Sequence, residues 1–66
     1  MGFRLKEVRE LKGMSQEELE KASGISRQTI SAIENGKSIN VMSDTLVALA
    51  RALDVKVSHI FFEESV

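Results

Sequence analysis

The sequence predicts an all-α fold: a compact five-helix bundle forming one domain over residues 1–66. Three observations carry that prediction. Apolar residues recur at helical spacing, and neither half of the chain alternates apolar and polar residues as a half-buried strand would. Serines stand where the apolar patterns begin, and glycines stand where they stop. There is no proline, no low-complexity tract and no internal repeat to break the pattern.

The first helix is expected over residues 4–12, with Leu5, Val8 and Leu11 as its apolar stripe and Gly13 as its stop. The second runs over residues 16–23, carries Leu19 and Ala22, and stops at Gly24. Met14-Ser15 with Leu19 reads as a serine cap with a hydrophobic staple, and Glu18 completes a capping box. The third runs over residues 27–35, with Ile30 and Ile33 inward and Gly36 beyond. Ile25-Ser26 with Ile30 repeats the start signal. The fourth opens at Met42-Ser43 with Val47, and its stripe is Leu46, Leu49, Ala50 and Leu53 at i, i+3, i+4, i+7. A short fifth helix is expected after Val57-Ser58, adding Ile60 and Phe61 to the core, with Phe62 as the staple partner of Val57.

Composition narrows the class. A 66-residue chain buries only about 60% of its unfolded surface, so its stability margin is thin. It has no cysteine for a disulfide or a thiolate metal site. No apolar run approaches the ~18 residues of a membrane span, and no signal peptide is evident. The expected setting is therefore cytoplasmic, with no membrane partner. Enzymatic function is not expected. His59 is the single histidine, so neither a catalytic triad nor a multi-histidine metal site can be built, and no phosphate-binding glycine loop is present. His59 is read as a solvent-facing structural residue, and no cofactor or metal is expected.

Net charge is −1, but it is unevenly spread. Residues 1–12 carry Arg4, Lys6, Arg9 and Lys12 against Glu7 and Glu10, and residues 27–37 are also net positive. Acidic residues gather in the second helix and at Glu63-Glu64. One basic face is possible, with modest attraction for phosphate.

With Ile30 and Ile33 inward, at about 100° per residue the far side of the third helix carries Gln28, Ser31, Ala32 and Asn35, with Arg27 at its leading edge. That side holds no acid. A merely solvated helix would favour Glu and Lys there. Arg, Gln, Ser, Thr and Asn are instead the side chains that read base edges in the major groove. Two short helices joined by the tight Ser23-Gly24-Ile25 turn also match a helix-turn-helix, spanning about residues 15–36.

The run Ser15-Gln16-Glu17-Glu18-Leu19, then Gly24-Ile25-Ser26-Arg27-Gln28-Thr29-Ile30-Ser31, then Ile33-Glu34-Asn35-Gly36-Lys37 resembles the phage lambda repressor and Cro type (XRE family) of helix-turn-helix transcriptional regulator. The resemblance continues through Leu46, Leu49, Ala50, Leu53, Val55 and Phe61. It implies that the third helix enters the major groove of a double-stranded DNA operator, the docking long documented for that family. Arg27 and Gln28 would then meet base edges, with Ser31 and Ala32 further along the groove. Gln16, Thr29, Asn35 and Lys37 would contact the DNA backbone, although Asn-Gly-Lys also suits a plain helix end. The resemblance further implies a structural ion pair between Arg9 and Glu34.

Three positions depart from the family pattern. Glu20 stands where a small alanine is usual, and either its stem lies along the helix interface or the second helix is displaced. Ser23 is more polar than is common before the turn glycine. Asp54 replaces a helix-ending glycine, and Asp tolerates that conformation better than most residues. A homodimer reading paired half-sites is expected, with Ile60, Phe62 and Val66 as dimer contacts. The alternative is an antitoxin-like or partner-controlled module that uses the same fold to bind a protein.

Overall fold

The structure, a computed structural model, describes residues 2–36 and 41–62. Within them the order is β1 (Gly2–Phe3), α1 (Leu5–Leu11), α2 (Gln16–Ser23), α3 (Arg27–Glu34), α4 (Ser43–Leu53), a 3₁₀ turn (Val57–His59) and β2 (Phe61–Phe62). The bundle therefore has four α-helices among the described residues, not five. The three residues between Lys56 and Ile60 close a single tight turn. Ile60 caps that turn with φ −112° and ψ −15°, and Phe61-Phe62 then extends to pair antiparallel with Gly2-Phe3. The Phe3 and Phe61 rings meet at 5.5 Å between centroids. Pairing with β1 satisfies the backbone that a fifth helix would have satisfied internally.

The start and stop signals explain most of the helix boundaries. Ser15 and Glu18 form the full capping box: Glu18 N–H donates to Ser15 Oγ at 3.0 Å, and Ser15 N–H donates to the Glu18 carboxylate at 2.9 Å. Ser26 caps α3 by accepting from Thr29 N–H. Gly24 ends α2 at φ 76°, a left-handed conformation that costs glycine nothing. The third serine signal is not used in this way. Ser43 is the first residue of α4, Met42 precedes it without a side-chain cap bond, and Met42 and Val47 are both exposed rather than stapled.

Seven side chains, Leu5, Leu19, Ile30, Ile33, Leu49, Leu53 and Ile60, are almost completely buried and form one core together with Ala50. α2 packs against both α3 and α4, and α1 touches α3. Leu11, expected in the core, is 81% exposed, and Ala22 is exposed as well. The inward face of α1 is Leu5 and Arg9, so Leu11 lies about 200° further round the axis from Arg9. Ile60 cannot serve as a dimer contact, because at 1% exposure it has no surface to offer a second copy.

Candidate nucleic-acid interface

The turn between α2 and α3 is built from polar side chains as well as from Gly24. Ser23 Oγ donates to the Leu19 carbonyl at 2.7 Å and accepts from Ile25 N–H at 3.1 Å. One hydroxyl thus closes the end of α2 and fixes the first step of the turn. Glu20 reaches over the same turn, and its Oε2 accepts from the backbone N–H of Arg27 at 2.8 Å. With Ser26 holding Thr29 N–H, two of the otherwise orphaned amides at the amino end of α3 have partners.

The far end of α3 is held by charge. Arg9 Nε donates to Glu34 Oε2 at 2.7 Å and its Nη2 donates to Oε1 at 3.2 Å, while Nη1 donates to the Met14 carbonyl at 2.7 Å. The two side chains are only 11% and 3% exposed. Hydrogen bonding to Glu34 holds the Arg9 guanidinium above even its usual high pKa, against the opposing effect of burial. The Gln16 amide joins the cluster by donating Nε2 to Glu34 Oε1 at 3.0 Å.

These anchors fix the angle at which α3 is presented. Its buried side is Ile30 and Ile33, while Arg27, Gln28 and Asn35 are exposed and Ser31 and Ala32 are half-buried. Six side chains, Gln16, Arg27, Gln28, Ser31, Ala32 and Asn35, line one shallow open groove. None is acidic. Asn35 Nδ2 donates to Ser31 Oγ at 3.2 Å along its floor. Of the eight residues expected on the DNA-facing side, the structure brings these six together. Thr29 lies outside the groove lining, with its hydroxyl 2.9 Å from Ser26 Oγ at the start of α3. Lys37, Val66 and the side chain of Phe62 lie outside the described residues.

Residue reasoning missed the Glu20–Arg27 and Gln16–Glu34 bonds. Glu20 had a signal, an acid in a position where the family resemblance leads to a small residue. Gln16 had none, because its partner lies 18 residues away.

The Helix-turn-helix family model matches residues 5–60, from the start of α1 to the end of the core. The chain belongs to the helix-turn-helix family. An uncharacterized HTH-type transcriptional regulator of Methanocaldococcus jannaschii is 41% identical over 64 residues, covering 97% of this chain and 96% of that protein. Among solved structures, the restriction-modification controller protein C.AhdI from Aeromonas hydrophila superposes with a TM-score of 0.81 at 40% identity, over 88% of this chain and 86% of that one. This helix-turn-helix protein thus stands among DNA-binding regulators of transcription, and its relatives are regulators rather than enzymes. No helix among its described residues is long and apolar enough to cross a membrane.

Proposed function

We propose that the chain is a sequence-specific transcriptional repressor that inserts α3 into the major groove of an operator and occludes a promoter. The observation that carries this reading is the acid-free groove, in which base-reading side chain types from the recognition helix meet Gln16 from the start of α2. Arg27 suits the O6 and N7 of guanine, Gln28 suits the N6 and N7 of adenine, and Ala32 suits a thymine methyl. Ser31 reads further along the groove. Gln16, Thr29, Asn35 and Lys37 hold the phosphate backbone and set the register, without reading sequence themselves.

Two copies bound to adjacent half-sites about 34 Å apart would give the symmetry that this mode of docking uses. Likeness to a controller protein and to an HTH-type transcriptional regulator supports the regulatory role. Selection of bound fragments from random duplex DNA tests it. The expected result is an enriched motif with two-fold symmetry, bound with an affinity that falls as salt rises. Binding that ignores duplex sequence, or capture of a protein with no affinity for DNA, would replace the repressor by an interaction module.

A further inference from the structure

Gln16 lines the groove, yet its amide is already engaged from behind. Nε2 donates to Glu34 Oε1 at 3.0 Å, and Glu34 is held in turn by the two-pronged contact from Arg9. Arg9 is itself anchored on the Met14 carbonyl, directly before the Ser15 cap. The chain of contacts runs from α1 through the end of α3 to the first residue of α2. Glu34 does not line the groove.

We propose that the Arg9–Glu34 pair is a positioning device for DNA binding: it fixes which end of the Gln16 amide is presented to the phosphate backbone. A carboxylate only accepts hydrogen bonds, so the amide must turn its NH₂ toward Glu34. Flipping the amide would set Oε1 against the Glu34 oxygens. One Nε2–H is consumed by Glu34, and the second is left as a donor directed away from it. An unrestrained glutamine has three soft torsions and offers oxygen or nitrogen indifferently, and its oxygen would repel a phosphate. Glu34 therefore acts on DNA without touching it, by making Gln16 a fixed donor. Arg9 acts one step further back, by holding Glu34.

The proposal rests on the DNA-binding reading above, and a double-mutant cycle separates the two. Gln16→Met, Glu34→Gln and the double variant are titrated at one salt concentration against the selected duplex and an unrelated duplex. Glu34→Gln keeps one acceptor oxygen, which the Arg9 donors draw to themselves, and leaves an NH₂ that no longer demands the Gln16 NH₂, so it removes the polarity lock. Gln16→Met is expected to weaken binding about tenfold, and Glu34→Gln several-fold, each by the same factor on both duplexes. The double variant should bind no more weakly than Gln16→Met alone. Losses that multiply overturn the proposal and leave the DNA-binding reading intact. A wild-type chain that binds no duplex overturns both.

Because disturbing a buried pair can compromise folding, a second measurement uses the unaltered free protein. Side-chain ¹⁵N relaxation should show the Gln16 amide as restrained as the backbone, and the exposed Gln28 amide freely mobile. Equal mobility of the two overturns the lock.

Discussion

The carboxylate of Glu20 lies at the amino end of α3, 2.8 Å from the first helical amide at Arg27. Helix amino ends carry unpaired N–H groups and a partial positive charge, so an acid there is stabilising. Glu20→Ala should cost about 0.5–2 kcal/mol, the range for losing an N-terminal acceptor. Urea denaturation checks it, and an unchanged midpoint would mean that the bond does not persist in solution. Gln28 differs in kind, because it is exposed and supports no part of the fold. Gln28→Ala should spare the unfolding midpoint, cost about 1–3 kcal/mol at the selected site and relax preference at one base pair. Equal loss on every duplex would remove its base-reading role. At this scale the groove is legible in sequence, because one helix carries four of its six residues at fixed angular spacing and its cap residue, Asn35, a fifth. The bonds of Glu20 and Gln16 are not, because each crosses between helices, and its length depends on how a three-residue turn sets one helix against the next.

Helix boundaries are readable where side chain and backbone agree locally. At α2 the serine, the glutamate three residues on and the terminal glycine all point to the same ends, and the structure has them there. At α4 the same start signal is present, but Met42 and Val47 remain in solvent, so the serine is drawn into the helix. Pairing between residues 2–3 and 61–62 leaves no periodic trace, so the fifth helix gives way to a ladder that only the folded chain reveals. The capping box has a pH signature. Hydrogen bonds from the Ser15 backbone, then from its hydroxyl, hold the Glu18 carboxyl below its usual value. A lowered folded pKa means that the charged form is favoured by folding. Its contribution is present above the unfolded value of about 4.3 and lost as pH falls through the folded one. The gap in thermal midpoint between the wild-type chain and Glu18→Gln should therefore be widest near neutrality and close below about pH 4. A gap independent of pH would assign the effect to something other than this carboxylate. At the other end of α4, Asp54 holds φ 57°, where a Cβ is strained. Asp54→Gly should raise stability by up to about 1 kcal/mol and Asp54→Ala should lower it, since left-handed geometry costs about 1–2 kcal/mol per ordinary residue. Chemical denaturation of both variants checks the order.

Over the molecule as a whole, two concave surfaces among the described residues lie apart and share no residue. The groove on α3 takes Arg27 as its cation, whereas the other is lined by Lys12, Arg51, Lys56 and His59 beside Asp54. Lys12 caps the carboxyl end of α1, and Arg51 is in the last turn of α4. Cations there complement the negative ends of helix dipoles, which accounts for much of that cluster without a ligand. What closes the bundle lies elsewhere: β1 is paired with β2, Arg4 N–H donates to the Ile60 carbonyl at 2.8 Å, and Phe3 packs on Phe61. Ile60 is core, so this clamp holds a side chain of the buried cluster in place instead of merely tidying a surface. A chain of this size has about 3–5 kcal/mol of stability from its core. Phe3 is only partly buried, so Phe3→Ala should cost less than the 3–5 kcal/mol of a full core truncation, about 1–3 kcal/mol. That is still a large fraction of the total. The loss should appear first as local opening: the Arg4 amide should exchange with solvent much faster, while amides in the middle of α4 follow only the drop in global stability. If the Arg4 amide instead keeps pace with α4 in both proteins, the ladder opens only with the whole fold, and the clamp is part of the cooperative core.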